Sequence, residues 1–302
     1  MSETWTVLSI LQWTTGFFEK QGIDSPRLDA EHLLAHMLGL ERIQLYVQFE
    51  RPLDPSERQV FRELVKRRAA GEPVQYIVGE WEFWSLPFAV RPGVLIPRGD
   101  TEVLVEEALG IARSLAGDDG QGLRIGDVGT GSGAIAVALA HELSGATVWA
   151  DDIADVPLAV APQNAEANGV SERVTILRGA GLSPLLRASG GGPLDLVCSN
   201  PPYIRAADHA GLMREVRDWE PAEALVSGAD GLDVIRRLVD EVAHPGALRP
   251  DGAVLLEIGD AEQADTVAGW LGARGFTGVR VRDDYGGRPR VVIARGPAWR
   301  PA

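Results

Sequence analysis

The sequence predicts an α/β protein: a doubly wound, mostly parallel sheet ending in an antiparallel strand pair, with a small helical domain in front. Three observations carry that expectation. From residue 123 short apolar runs alternate with helical stretches, the rhythm of strand–helix–strand units. The first 72 residues show helical apolar stripes and no strand signal. The last two strand-like runs, "FTGVRVRDD" and "RPRVVIAR", are too close for a helical crossover and should pair antiparallel.

Taken in order, Val7, Leu8, Leu11, Phe17 and Phe18 fall near one stripe of a first helix. Pro26 opens a second that runs to Gly39, with Leu28, Leu33, Leu34, Met37 and Leu38 facing inward. A third spans Pro55 to Ala70, and residues 1–72 form a helical N-terminal domain. Residues 73–97, which include "PVQYIVGEWEFWSLPFAV", are rich in β-branched and aromatic residues and read as a hairpin linker. Residues 98–302 form the third segment, opening with a helix capped by Asp100 with Glu102 in its first turn. Its strands are "LRIGDV", "ATVWADD", "VTILRG", "PLDLVCSN" and "GAVLLEIG", then the closing pair. "GSGAIAVALAHEL" is the first crossover helix.

Composition excludes several classes. In 302 residues, 29 Lys and Arg stand against 43 Asp and Glu, a formal charge of −14. That argues against a bulk nucleic-acid binder. The single cysteine, Cys198, permits no internal disulfide and no cysteine-rich zinc site, which suits a reducing, cytoplasmic setting. No apolar run reaches the ~18 residues of a membrane span. Glu3, with no basic residue before Lys20, does not read as a secretory signal.

Two motifs carry chemistry. "DVGTGSGA" lies between a strand and a helix, and Gly129, Gly131 and Gly133 let the backbone turn tightly and approach a ligand. Asp152, at the end of the next strand, is the candidate ribose partner, with Asp151 its competitor. The loop indicates an adenosine-type cofactor without choosing between a dinucleotide and S-adenosylmethionine. The second motif, "SNPPYI", comes after a strand at the sheet edge where ligands bind. Pro201 and Pro202 offer no backbone N–H, so this loop presents acceptors, and Asn200 adds a side-chain carbonyl. Such a site suits a planar –NH2 group. An amide nitrogen is a poor nucleophile, as its rotation barrier of about 18–20 kcal/mol shows. Two acceptors holding both N–H bonds favour pyramidalisation and aim the lone pair at an electrophile; Tyr203 can pack on the flat group.

These residues resemble the class I S-adenosylmethionine-dependent methyltransferases that modify the glutamine of peptide chain release factors, the protein-(glutamine-N5) methyltransferases. The resemblance runs through "PVQYIVGEWEFW", "LIPRGDTEVLVEEAL", "DVGTGSGAIAVALA", "DLVCSNPPYI", "WEPAEALVSGADGLDVIRRL" and "DDYGGRPRVVIAR". It implies a Rossmann-like class I methyltransferase fold. It implies S-adenosyl-L-methionine as cofactor, contacted by Gly129, Thr130, Gly131, Ser132, Gly133, Asp152 and Gly181, with Asn200 bordering it. It implies that Asn200, Pro201, Pro202 and Tyr203 hold the substrate glutamine, with Asn200, Pro201 and Tyr203 carrying the catalysis. The expected partner is a release factor, docked in part by the N-terminal helices; no membrane and no direct nucleic-acid contact are expected.

The chain departs from the family pattern where members carry an acidic residue near the adenine. Here the loop reads Gly179-Ala180-Gly181-Leu182, so that polar contact is expected to be lost. Gly99 replaces a proline, and Pro162 should kink or restart the helix after Asp152. The alternatives are a divergent paralogue acting on another amide or amine, and an adenine-N6 methyltransferase, which shares the N-P-P-Y tetrad. His32 and His36 read as packing or solvated residues and Cys198 as core; no metal site is expected. Glu257 falls at a strand end on the ligand edge with no role assigned.

Overall fold

Side-chain caps and prolines start the early helices. Thr6 takes the N–H of Ser9 and Asp54 that of Glu57, each in a reciprocal capping box, and Pro26 and Pro55 open the helices they begin. The computed structural model describes residues 5–297. Its elements in chain order are α1 (Val7–Lys20), α2 (Pro26–Leu38), α3 (Arg42–Val47), α4 (Pro55–Ala69), α5 (Val74–Val78), β1 (Glu80–Phe83), β2 (Leu86–Ala89), α6 (Glu102–Ala116), β3 (Arg124–Val128), α7 (Ala134–Glu142), β4 (Thr147–Asp152), α8 (Asp155–Ala167), β5 (Val174–Arg178), α9 (Leu182–Ala188), β6 (Leu194–Ser199), α10 (Arg214–Trp219), α11 (Asp233–Val242), β7 (Leu248–Glu257), α12 (Ala261–Ala273), β8 (Thr277–Asp283) and β9 (Pro289–Arg295).

The chain divides into two compact units. The first runs to Glu80 and takes in Met213–Trp219; the second holds Trp81–Leu212 and the chain from Glu220 onward. In the first unit Phe18, Leu33, Leu34, Leu45 and Phe61 are fully buried. Leu28, expected inward, is an exception with 38% of its surface exposed. Arg68 is buried in this unit and bonds Asp29 at 2.6 Å, the Glu72 carbonyl at 3.2 Å and Glu215 of α10. A guanidinium with several acceptors tolerates burial that an unpaired charge would not.

The second unit carries a seven-stranded sheet in the order β5-β4-β3-β6-β7-β9-β8. Strands β3 to β7 run parallel; β9 pairs antiparallel with β7 and with β8, as expected for the closing pair. β6 is buried at all six positions, Cys198 included, which suits a central strand covered on both faces. Strand order reverses between β3 and β6. That switch point opens a crevice at their C-terminal ends, and both chemistry-bearing loops leave the sheet there.

Three local readings are corrected. Residues 74–78 form α5 instead of part of a strand pair, and only β1 and β2 make the hairpin. Its turn places Trp84 and Ser85 in the left-handed region (φ 54° and 56°), held by Glu102 on the Trp84 backbone N–H and Glu142 on its indole N–H. Asp100 does not cap α6. It lies in a 3-10 turn, Gly99–Thr101, and faces Arg288 and Arg290. Pro162 sits inside an unbroken α8. Pro162 is exposed, so the Leu158 carbonyl that lost its intrahelical donor can turn to water.

Candidate active site

A cavity of about 270 Å³ lies over the crevice. Gly129, Thr130, Gly131, Ser132, Asp152, Gly181, Asn200, Pro201 and Pro202 all line it, so residues far apart in sequence converge as expected. Gly133 and Tyr203 do not share that wall. Gly133 caps α7 in a left-handed conformation (φ 86°), and a Cβ there would press on Ala161 at 3.2 Å. Tyr203 turns its hydroxyl to Glu257 (3.3 Å), and its ring packs over Gly259.

The glycine loop is pinned from the neighbouring strand. β3 pairs β4 with Val128 opposite Asp151. From there the Asp151 carbonyl accepts the Thr130 N–H (2.8 Å), Asp151 Oδ1 the Gly129 N–H (3.2 Å), and Asp152 Oδ2 the Gly131 N–H (3.0 Å). The Thr130 hydroxyl donates to Asp127 below it at 2.6 Å. Gly129 and Gly131 have positive φ (73° and 57°), and a Cβ at either would meet no atom within 4 Å. The space that side chains would fill stands open, a cradle that fits a ligand pressed against the backbone. Both Asp151 and Asp152 line the cavity; Asp151 is fully buried beneath the loop, whereas Asp152 is partly exposed. Burial raises the carboxyls of Asp127 and Asp151 to about 7.

Asn200, Pro201 and Pro202 of the loop after β6 line the same cavity. Asn200 donates its Nδ2–H to Thr101 Oγ1 at 3.1 Å, which leaves Oδ1 to accept from a ligand. Behind the loop, Glu257 is buried and faces the hydroxyls of Thr101 and Tyr203; burial raises its carboxyl to about 7. The "LIPR" and "WEPAEAL" segments also meet: buried Glu220 accepts the Ile96 N–H at 3.1 Å and pairs with Arg98. The "DDYGGRPR" segment folds around Asp284, which takes the N–H groups of Gly286 and Arg288 and holds Arg290. Those bonds hold its carboxyl down at about 2.

The adenine-side loop after β5 departs from expectation. A Cβ on Gly181 would fall 2.2 Å from Oε2 of Glu241, so the α11 carboxylate occupies the place where a loop side chain would stand. Glu241 accepts the Leu182 N–H at 2.7 Å, and Arg237, one turn earlier, lines the cavity. Sequence reading missed Thr101, Glu220, Glu241 and Arg290. The "LIPR", "WEPAEAL" and "GGRPR" blocks were the only local signal for three of them, and Glu241 had none.

A parallel sheet of this order, with a glycine loop and an Asn-Pro-Pro-Tyr loop on either side of its switch point, defines a class I methyltransferase. Residues 9–79 match the family model for the PrmC N-terminal domain, and residues 113–200 that for ribosomal protein L11 methyltransferase (PrmA). The chain is 45% identical to the release factor glutamine methyltransferase of Geobacter sulfurreducens, over 97% of this chain and 98% of that one. It is 44% identical to that of Chlorobaculum tepidum, over 94% and 95%. The catalytic domain of human Mettl16, crystallised with a MAT2A 3′UTR hairpin, shares the fold: TM-score 0.56, 17% identity, 78% of this chain and 80% of that chain. The chain belongs to the release factor glutamine methyltransferase family. Among the described residues no helix is long and apolar enough to cross a membrane, and no group of three or more His, Cys, Asp or Glu is placed to hold a metal.

Proposed function

We propose that this chain transfers a methyl group from S-adenosyl-L-methionine to the side-chain amide nitrogen, N5, of the glutamine in the Gly-Gly-Gln motif of peptide chain release factors, in the cytoplasm. The observation that carries the reading is the Asn200 amide: with its N–H committed to Thr101, Oδ1 is the acceptor in the cavity that Gly129–Gly131 also line.

Gly129 to Gly133 and Asp152 would hold the cofactor, Asp152 accepting from the ribose hydroxyls. When bound, the cofactor supplies an electrophilic methyl on a sulfonium. Asn200 Oδ1 and the Pro201 carbonyl would accept the two N–H bonds of the glutamine amide. That draws the nitrogen out of conjugation and aims its lone pair across the cavity. Each bond contributes only about 1 kcal/mol, so positioning supplies most of the rate. The nitrogen becomes cationic as the N–C bond forms, and its proton then leaves to water, so no strong base is needed. Tyr203 would brace the loop through the bond of its hydroxyl to Glu257.

The test combines purified protein, methyl-labelled S-adenosylmethionine and a bacterial release factor, with mass spectrometry of the Gly-Gly-Gln peptide. One methyl on the glutamine amide is expected. Label on another residue, or on RNA alone, would overturn the reading in favour of another amide or amine, or of adenine.

A further inference from the structure

We propose that Glu257 is a positioning residue that fixes which way the Asn200 amide faces, acting through the Thr101 hydroxyl, and that it orients Tyr203 from the other end of the same loop. The inference rests on the glutamine-amide reading above and adds to it how the acceptor is set.

The argument is one of donors and acceptors. An asparagine amide has two chemically opposite ends, and only one suits an N–H substrate. Asn200 contacts Thr101 through Nδ2, so Thr101 Oγ1 acts as acceptor there. A hydroxyl carries one proton, and the Thr101 hydroxyl faces the Glu257 carboxyl. An ionised carboxylate only accepts. A Thr101 hydroxyl that turns its proton to the charged Glu257 leaves its lone pairs for Asn200, and Asn200 then presents N–H inward and Oδ1 to the cavity. Tyr203 adds a second vote, since its hydroxyl donates to Glu257 Oε1. Glu257 Oε2 is buried with no hydrogen-bond partner among the described residues, so the carboxylate has an open acceptor for the Thr101 proton.

Glu257 ends β7 within a buried strand, 1% exposed, and does not line the cavity. Touching no substrate, it acts through Thr101 and Tyr203. The charged groups facing it are Arg290, which favours its ionised form, and Asp100, which opposes it. Arg290 is itself held between Asp284 and Asp100. The C-terminal "GGRPR" segment thus delivers a cation behind the substrate loop, which gives that distant block a job in the same network.

Protonation would weaken the relay. A neutral Glu257 can donate to Thr101, and Asn200 then loses its directional instruction. The carboxyl titrates at about 7, so turnover should fall as pH drops through that value.

The test uses the full chain and a release factor substrate. Thr101→Val keeps the shape and removes the hydroxyl. Glu257→Gln leaves one acceptor where two hydroxyls need one. Each should lower kcat about tenfold or more, the worth of a hydrogen bond to a charged group, with the cofactor dissociation constant within about twofold. Glu257→Gln should also lose the acid limb of the pH profile, and Thr101→Ser should restore most of the kcat lost in Thr101→Val. A Glu257→Gln enzyme with wild-type kcat and an unchanged acid limb would overturn the proposal. If Glu257→Gln does not fold, a Thr101→Val enzyme with undiminished kcat overturns it equally. The side-chain amide resonances of Asn200, followed by NMR, read the relay without turnover. They should shift in Thr101→Val and not in Thr101→Ser. A wild-type protein that keeps this signature but leaves the glutamine unmethylated would refute the substrate reading and spare the relay. An Asn200 signal indifferent to Thr101→Val would refute the relay itself.

Discussion

The loop after β3 and the loop after β5 flank the same end of the cavity and are built by different means. Gly129 to Gly133 are positioned by their own strand, by three bonds from the adjacent strand end, and by buried Asp127, three residues before the Thr130 it bonds. Gly179 is likewise bonded across its strand pair, to the Asp152 carbonyl (3.0 Å), but Gly181 carries no side chain, and the carboxylate that fills its Cβ place comes from Glu241, about sixty residues on. The first arrangement is local and register-bound. The second adds to its strand-pair bond a group that depends on how α11 packs. A motif can be read from sequence when its partners are neighbours in the chain or across one strand pair, and not when a helix from elsewhere supplies the missing group.

The sharpest way to break the comparison is at the loop after β6, which lines the cavity with both. Asn200→Ala removes the acceptor on which amide activation rests. Loss of one preorganised hydrogen-bonding group in an active site costs about 10²–10³ in kcat, and here transfer should fall to near background. Cofactor affinity and thermal stability should hold, because Thr101 loses only one partner. Methyl-transfer kinetics with cofactor calorimetry on the same sample decide it; retained turnover would defeat the amide clamp.

Asp152→Ala comes next. Its carboxylate takes the Gly131 and Ala154 N–H groups and stands at the cavity wall. Losing charged hydrogen bonds of about 1.5–3 kcal/mol should raise the S-adenosylmethionine dissociation constant about 10- to 100-fold. An unchanged constant would shift ribose recognition to Asp151.

The glycine loop also leaves a signature in stability, which the loop after β5 does not. Asp127 and Asp151 titrate at about 7 in the fold, far above an unfolded aspartate near 4. Between those values the folded chain holds protons that the unfolded chain has released. These groups therefore favour folding at the acid end of the window, and their contribution is lost as pH rises from about 4 through about 7. Asp127→Asn keeps an acceptor for Thr130 and removes the titration, so its denaturation midpoint should vary less with pH than that of the wild type. A difference of about 1–2 kcal/mol across the window is expected after discounting coupling between the two aspartates. Parallel curves for the two proteins would show that Asp127 does not titrate there.

Most of the fold was legible because it is written locally: β-branched runs, the glycine turn, and two closing strands with no room for a helix. The Asn200 to Pro202 wall was legible for the same reason, since prolines and an asparagine at a strand end restrict what the loop can offer. What escaped was tertiary. Residues 74–78 look like strand yet coil into α5 between Pro73 and a left-handed Gly79. Tyr203 reads as a ring to pack on the flat substrate group, but the partner of its hydroxyl, a buried carboxylate on β7, 54 residues on, has no local signal. Asp100 has the chemistry of a cap, yet two arginines from the far end of the chain draw it away from the helix.

The smallest effect is the most diagnostic for the comparison. If Glu241 supplies what the loop after β5 lacks, Glu241→Ala should free the Leu182 N–H, loosen Gly179–Gly181 and raise the cofactor dissociation constant about three- to tenfold, one hydrogen bond's worth. kcat at saturating cofactor should be untouched, because the Asn200 wall is elsewhere. The effect should then be repairable from the loop itself. Ala180 lines the cavity and is exposed, so an aspartate there has room. Ala180→Asp in the Glu241→Ala background should bring the constant back toward the wild-type value. In the wild-type background it should not help, since a second carboxylate beside Glu241 meets like-charge repulsion. Gly181 cannot host the repair, because its φ of 94° strains any L side chain. Failure of Ala180→Asp to rescue Glu241→Ala would mean that Glu241 only ties down the start of α9 and that no carboxylate at the loop after β5 serves the cofactor.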